Sequence, residues 1–581
     1  QVPALLLPGI TLVVSPLISL MQDQVKSLNE AGIHAAYINS SLTEGQINKA
    51  LSFAARGVYK IIYVAPERLE TASFLSFALH TPISMVTVDE AHCISQWGQD
   101  FRPSYLKIID FVEQLPGNPI ISAFTATATE VVKNDIARIL KLKNPNIVVT
   151  GFDRENLYYQ VEHLTGKQKD IFIQNYIETH PYESGIIYCA TRKSVDTLYE
   201  KLLKQGISVT RYHAGMNNDI RKKSQDDFIY DRAQVVIATN AFGMGIDKSN
   251  VRFVIHYNMP QSMENYYQEA GRAGRDGEPA KCILLFSTQD VMISKLLLGS
   301  KDFEGMDFQE IEQVKHQDSR RLQLMEGYCM TTSCLRNYIL EYFGETTHQP
   351  CDNCGNCHQE FEELDMTLDA KWVVGCITEM RGRYGQSLVI STLLGSKKAR
   401  LKDIGATSYN CYGQLENRTE ADLRLLISQM IRMGYIIQTE GEYSVLKAGN
   451  IADLQNKNTK IIIKKFKEKE KISTTKKHKT PFKKDSFSAF TESSSTDSTA
   501  TNSSRNSALF EALRQLRLQI AKEESVPPYI VFTDRTLIDM CSKLPQNEDE
   551  ILNVSGVGQN KLKKYCQRFL QEISAFQSAD H

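Results

Sequence analysis

The sequence predicts an α/β fold, with parallel sheets flanked by helices over the first half of the chain and mostly helical modules over the second. Three observations predict it. Between residues 1 and 290, short β-rich apolar runs at 11–14, 61–64, 85–88, 185–189, 235–238 and 253–256 alternate with amphipathic stretches. Strands apolar on both faces belong in sheets covered by helices on both sides, as βαβ units produce. Beyond residue 290 the pattern turns helical and runs through a cysteine cluster. The composition is that of globular protein: 42% hydrophobic and 23% charged over 581 residues. This excludes wholesale disorder, collagen and a polytopic membrane protein, and it predicts about four domains.

The elements follow in order. Residues 2–21 carry no charge and have the length of a spanning helix, but Pro3, Pro8, Gly9 and Pro16 interrupt them. They read as a buried strand flanked by turns. Nearly 300 residues is large for one sheet domain, and Thr150-Gly151-Phe152-Asp153-Arg154 reads as a seam between lobes at 1–149 and 150–290. A cysteine-bearing helical unit is expected over 291–359. Residues 360–450 give about three amphipathic helices, then apolar stretches at 435–438 and 443–446 around Glu440-Gly441, the pattern of a winged helix. Residues 457–484 hold 12 lysines against two acids, and 12 of the residues 486–504 are Ser or Thr. The segment 451–504 therefore reads as a tether with a basic half, and 505–581 as a last helical domain. The net charge of −1, from 67 basic and 68 acidic residues, is thus an average that hides about +10 in one segment. It does not exclude a nucleic-acid partner.

Asp89-Glu90-Ala91-His92 closes the apolar run 85–88. A strand end places both acids at the carboxyl edge of a parallel sheet, where ligands bind. In nucleotide hydrolases an acid here holds Mg²⁺ and a neighbouring Glu activates the attacking water. Alone, the pair also reads as an ordinary strand-to-loop junction. Three further segments follow: 122–129, with Thr125 and Thr127; 236–247, with Gly245 and Asp247; and Gln268-Glu-Ala-Gly-Arg-Ala-Gly-Arg-Asp276. Arg272 and Arg275 stand three apart among small residues that let a guanidinium approach a polyphosphate closely. Twelve cysteines without a visible signal peptide suit a reduced compartment. Cys334, Cys351, Cys354 and Cys357 supply four thiolates, enough for a closed zinc site presented in part by the helix before Cys334. Cys329 is a spare and His358 a decoy in this reading, and an iron–sulfur cluster stays open on spacing alone.

Together these motifs resemble the RecQ family of DNA helicases, of the long bacterial type within helicase superfamily 2, over essentially the whole chain. Residues 14–24 resemble its motif Ia, a DNA-backbone contact that includes Ser15. Residues 89–103 resemble motif II running into the aromatic-rich loop, and 187–192 resemble motif IV. The resemblance implies two RecA-like lobes, a zinc-binding helical subdomain, a winged helix and an all-α HRDC domain. The HRDC likeness rests on 528–534 and 552–558. It implies an ATP-dependent 3′-to-5′ DNA helicase of recombination and repair, working on single-stranded and duplex DNA with ATP, Mg²⁺ and Zn²⁺. Asp89, Gly245, Asp247, Arg272 and Arg275 would hold the nucleotide and its metal, with Glu90 acting on water and His92, Thr125 and Thr127 linking hydrolysis to strand movement. Trp97 and Phe101 would stack on bases beside Arg102; as core aromatics they would read differently. Arg418, Arg424, Arg432 and Lys447 of the winged helix, and Lys561, Lys563 and Lys564 beyond Gly556, are available cations that also suit a solvated face. Single-strand-binding protein and topoisomerase are implied partners, a membrane is not, and the bacterial cytoplasm and nucleoid are the implied place.

One departure stands out. The family needs a G-x-x-x-x-G-K-[ST] loop, whose amides and lysine cradle the β- and γ-phosphates. The one Gly-Lys pair, Gly166-Lys167, is followed by Gln168 and lies outside any such motif. The chain is expected to begin just after that loop and, as it stands, to hydrolyse little ATP. Two other readings remain: a non-enzymatic DNA-binding remnant of a helicase, and a superfamily 2 RNA helicase.

Overall fold

A computed structural model describes residues 1–95, 98, 101–243, 248–300, 308–347, 349–397, 399–439, 445–451, 460–466, 499–524 and 526–578. The first lobe is a five-stranded parallel sheet. Its strands are β1 (Ile10–Val14), β2 (Ala35–Ile38), β3 (Ile61–Val64), β4 (Ile83–Val88) and β5 (Ile120–Ala123), in the order β2-β3-β1-β4-β5. The second lobe holds six parallel strands: β6 (Leu157–His163), β7 (Ser184–Tyr188), β8 (Val209–Tyr212), β9 (Val235–Ala238), β10 (Val251–His256) and β11 (Ala280–Phe286). Their order is β6-β11-β10-β7-β9-β8. In each lobe the apolar cores lie on both faces of the sheet, one under each helix layer. All four residues of β3 and of β9 are buried, which is why these strands read as unbroken apolar runs.

The uncharged stretch 2–21 resolves into a short helix Val2–Leu6, strand β1 and the start of the helix Ile18–Glu30. The strand was expected, and bends at residues 7–9 and at Pro16 flank it as expected; the two helices beyond those bends were not expected. Pro3 sits in the first turn of the leading helix, where its missing N–H costs nothing. No helix among the described residues is long and apolar enough to cross a membrane.

The cysteine-bearing subdomain is not a free-standing layer. Its helices Phe308–Met330 and Leu335–Tyr342 contribute Leu322, Met325, Tyr328, Leu335, Ile339 and Phe343 to the same apolar core as β6, β10 and β11. Arg336 fastens it to the seam between the lobes, donating to the carbonyls of Arg154 at 2.7 Å and Leu157 at 2.6 Å and pairing with Asp153.

Downstream, the helices Thr367–Glu379, Gln386–Leu393 and Glu420–Arg432 pack over an antiparallel pair, β13 (Ile436–Gln438) and β14 (Leu446–Ala448). The expected hairpin turn at 440–444 lies outside the described residues. A further pair, β12 (Phe361–Asp365) with β15 (Ile462–Phe466), closes the domain. This corrects the expected tether. Residues 462–466 form a strand, because Ile461 and Ile463 bury in the winged-helix core while Lys464 faces Glu363 across the ladder. The tether's other end is also shortened, since the helix Thr499–Glu524 begins inside it. Of the rest of the expected tether, 452–459 and 467–498 lie outside the described residues.

The last domain has its own core, built from Leu513, Phe532, Met540, Ile551 and Phe569 among others. It docks on the second lobe through ion pairs. Arg517 donates to Asp534 at 2.7 Å and lies 3.9 Å from Asp231 of the lobe, while Lys248, fully buried, pairs with the same Asp231 and faces the Tyr529 ring. Burial alone would raise the Asp534 carboxyl, but Arg517, Lys248 and Arg252 more than offset it and hold it below the ordinary aspartate range. Arg517 belongs to the last domain itself while Lys248 and Arg252 belong to the lobe, so the depressed acid stabilises both that domain's fold and its docking, fully above its unfolded value, and the effect is lost as pH falls through the folded one. Asp534→Asn is expected to weaken docking by about 1–3 kcal/mol at neutral pH. X-ray scattering should show a larger radius of gyration for the variant than for the wild type at pH 7; an unchanged radius would contradict this reading.

Candidate active site and metal centre

Strand β4 delivers Asp89 and Glu90 between β1 and β5, where the Asp89 amide donates to the Val14 carbonyl and the Phe124 amide to the Val88 carbonyl, both at 2.9 Å. Asp89 is gripped on several sides. Its Oδ1 accepts the Glu90 amide at 3.0 Å, its Oδ2 accepts the Ser15 hydroxyl at 3.2 Å, and its carbonyl accepts the Tyr105 hydroxyl at 3.0 Å. Burial pushes its carboxyl above the ordinary aspartate range, and the Glu90 amide and Ser15 hydroxyl offset part of that. One half-buried acid with a hydroxyl beside it suits a cation that keeps most of its water, as Mg²⁺ does. Ser15 is wholly buried at the end of β1, and its hydroxyl is turned to Asp89.

Glu90 adopts a left-handed backbone at φ 46°, a conformation that costs a non-glycine residue of order 1–3 kcal/mol and collects at functional sites. Its carboxylate stands 3.4 Å from the buried His92 ring, whose Nδ1 lies 2.9 Å from Thr125 Oγ1. Thr125 Oγ1 in turn accepts the Thr127 amide at 3.3 Å, and the buried Thr127 hydroxyl has no hydrogen-bond partner among the described residues. The acids, His92 and both threonines therefore form one connected cluster. In the loop beyond, Trp97 lies outside the described residues. Phe101 is half-buried, and Arg102 donates to the Pro16 carbonyl at 3.3 Å, tying this loop to the segment after β1.

The second lobe brings its arginines to the same place. Glu90, Phe124, Thr125, Arg154, Gly243, Gln268, Arg272 and Arg275 all line one cleft of about 1550 Å³ between the lobes. Arg272 is buried and donates to the Gly243 carbonyl. A Cβ at position 243 would fall 2.4 Å from its guanidinium carbon, so only glycine lets the backbone lie this close. The Arg272 Nε is buried without a hydrogen-bond partner among the described residues. Arg275 is exposed at the cleft. Gly245 and Asp247 lie outside the described residues. Sequence reading missed Arg154, which clamps the arginine turn by donating to the carbonyls of Gly271, Ala273 and Gly274 at 3.1–3.3 Å. It also missed the buried His256–Glu269 pair at 2.9 Å behind that turn.

The four cysteines meet as expected. The Sγ atoms of Cys334, Cys351, Cys354 and Cys357 all lie within 4.8 Å of one another. The separations Cys354–Cys357, Cys351–Cys357 and Cys354–Cys334 are 3.5, 3.9 and 4.0 Å. Four thiolates at the usual Zn–S distance stand about 3.8 Å apart in a tetrahedron, so the donors fit zinc. Cys334 comes from a place other than the one expected: it caps the start of the helix Leu335–Tyr342 and is not carried on the helix before it. Cys329, which is on that preceding helix, is buried in the core, and His358 turns its ring to the Asp352 carbonyl at 3.0 Å and takes no part in the cluster.

The expected DNA cations are less available. Arg418 is held by both oxygens of Asp369 at 2.7 and 3.1 Å, and Arg424 pairs with Glu420 one turn away. Lys447 is exposed on β14, and the side chain of Arg432 lies outside the described residues. In the last domain Gly558 precedes a helix of only three residues, while Lys561 lies over Phe532 and Lys564 pairs with Glu524. Lys563 is exposed.

Five family models match consecutive stretches of the chain. They are a DEAD/DEAH box helicase over residues 2–134, a helicase conserved C-terminal domain over 168–277, RecQ zinc-binding over 288–358, an RQC domain over 360–472 and an HRDC domain over 506–573. The zinc-binding match agrees with the cysteine geometry and decides for zinc over an iron–sulfur cluster. An ATP-dependent DNA helicase RecQ of Bacillus subtilis is 42% identical over 99% of this chain and 91% of its own length. Proteins of the same description from Haemophilus influenzae and Pasteurella multocida are each 36% identical over 99% of this chain, covering 88% and 86% of theirs.

Proposed function

This chain belongs to the RecQ family of ATP-dependent DNA helicases, and from that premise we propose that it moves 3′-to-5′ along one DNA strand by closing and opening the cleft between its lobes around ATP. The observation that carries the reading is that Glu90 and Thr125 of one lobe and Arg272 and Arg275 of the other line a single cleft. Asp89, with its raised carboxyl and Ser15 partner, would hold hydrated Mg²⁺, which neutralises phosphate charge when bound. Cation binding at Asp89 would weaken as pH falls through that raised value, because the protonated carboxyl is no longer an anion. Glu90 orients the attacking water and accepts its proton, with His92 beside it as the relay to Thr125 and Thr127. Arg272 and Arg275 face charge that develops on the γ-phosphate, and their fixed forks need no deprotonation step. Arg154 positions the turn that bears them. Gly245 and Asp247 belong to the same nucleotide site by resemblance.

By resemblance, Trp97 and Phe101 would stack on bases and Arg102 would add charge, which supports single-stranded DNA as the tracked strand. The RQC and HRDC modules add duplex and strand contacts. Roles in recombination and repair, work at the bacterial nucleoid, and partnership with single-strand-binding protein and topoisomerase are proposed on the family resemblance. The 581 residues contain no G-x-x-x-x-G-K-[ST] loop, so this polypeptide alone is proposed to bind and hydrolyse ATP poorly. The intact acids and arginines favour a helicase over a degenerate DNA-binding remnant. To test direction and substrate, a form carrying such a loop joined ahead of Gln1 is given 3′-tailed and 5′-tailed duplexes of DNA and RNA. Unwinding of 3′-tailed DNA is expected. Unwinding confined to 5′ tails or to RNA would overturn the proposal.

A further inference from the structure

Helix Phe308–Met330 belongs to the zinc-bearing subdomain, yet one of its side chains joins both lobes. Arg321 is buried and donates from Nη2 to the Gly98 carbonyl of the first lobe at 3.0 Å. Its Nη1 donates to Asp318 at 3.2 Å, and its Nε stands 4.0 Å from Glu264 Oε1 of the second lobe.

Both ends of this link are packed against machinery already described. Gly98 presses on the acid motif: a Cβ there would fall 2.1 Å from the His92 carbonyl oxygen and 3.0 Å from that of Ser95. Glu264 lies in the first turn of the helix Met263–Ala270, which runs directly into Gly271 and Arg272. It is 4% exposed, its Oε1 accepts the Tyr342 hydroxyl at 2.6 Å, and its Oε2 has no hydrogen-bond partner among the described residues. A buried carboxylate so sparsely bonded depends on a nearby cation for its charge balance. A guanidinium is always charged and holds its donors in a rigid plane, so it cannot shift toward one acceptor without turning from another.

We propose that Arg321 is a positioning residue that conveys the state of the loop at Gly98, through the zinc-bearing subdomain, to the helix that precedes Arg272 and Arg275. A strand bound to that loop moves the Gly98 carbonyl. Arg321 then either follows it or turns further onto Glu264, and the field at the start of helix Met263–Ala270 changes in both cases. The idea rests on the reading that these arginines serve the nucleotide, but its test uses none, so the two can fail separately.

The test is amide hydrogen exchange on the zinc-loaded full chain, with and without an oligothymidylate. In the wild type, the oligonucleotide is expected to change exchange across residues 263–270 by about fivefold or more, the lower end of ordinary site-to-site coupling. Arg321→Gln is expected to erase that response while zinc content stays the same and oligonucleotide affinity stays within about twofold. Glu264→Gln keeps an acceptor for Tyr342 and removes only the charge, so it reads the same link should Arg321→Gln lose its zinc. A response that persists in both variants, or a wild-type helix that does not respond, overturns the proposal.

Discussion

Cys354→Ser is expected to remove the zinc and to unfold more than the zinc site. Cys354 is completely buried, accepts the Leu335 amide on its sulfur at 3.4 Å, and bridges to Tyr159 of β6. Three thiolates cannot close a structural zinc site, and in small zinc modules metal binding supplies on the order of 10 kcal/mol of folding free energy. That energy is not confined to the subdomain. Leu335, Ile339, Phe343 and Cys354 share one core with Leu157, Tyr159 and Leu284 of the second lobe. Loss of the metal should therefore loosen the helices Phe308–Met330 and Leu335–Tyr342 and strip apolar cover from β6 and β11. Zinc per chain, measured by mass spectrometry, should fall from about one to near zero, with an accompanying loss of helical circular dichroism. Cys329→Ala provides the contrast: that thiol is buried in the same core but stands apart from the four, so its variant should keep the metal. A Cys354→Ser protein with full zinc and unchanged unfolding would refute the assignment.

The second large effect concerns Glu90. In any form of this chain that hydrolyses ATP, Glu90→Gln is expected to lower DNA-stimulated turnover by about 10²–10⁴-fold, the usual worth of a positioned general base. Glutamine preserves shape and hydrogen bonding but cannot accept the proton, so nucleotide and DNA affinities should change far less than turnover. The left-handed backbone at this residue aims its carboxylate between His92 and the cleft. His92→Ala, which leaves that carboxylate in place, should cost less. A Glu90→Gln form retaining most of its turnover would show that water is activated elsewhere.

The sequence made the buried centre of each lobe legible and left its edges obscure. All six apolar runs fall in strands of the two parallel sheets, because a strand covered on both faces needs apolar side chains throughout. Strands β2, β5, β6 and β8 carry no such signal, because they are sheet edges. Along β6, buried and half-buried residues alternate from Leu157 to Glu162, and β5 has an exposed Ile120. Strand β11, apolar from Cys282 to Phe286, carried the same pattern as the six runs. Strand β15 was hidden inside a lysine-rich stretch, since only its partner β12, about a hundred residues away in sequence, explains it.

The site divides in the same way. Asp89, Glu90, Arg272, Arg275 and the four cysteines were readable because their chemistry is written in local spacing. Arg154, Arg321 and the His256–Glu269 pair act across long sequence separations, and nothing in their neighbours marks them. Ser15 has a partner that local spacing does not show: its segment resembles a DNA contact, and the fold at the end of β1 turns its hydroxyl to Asp89.

The central claim is that the two lobes hold complementary parts of one ATP site which needs a phosphate-cradling loop to work. The most direct measurement compares DNA-stimulated ATP hydrolysis by the 581-residue polypeptide with that of the same polypeptide carrying a G-x-x-x-x-G-K-[ST] loop joined ahead of Gln1. The account predicts turnover near background for the first and a gain of about 10²-fold or more for the second, abolished by Glu90→Gln. Robust turnover by the polypeptide without the loop would contradict it.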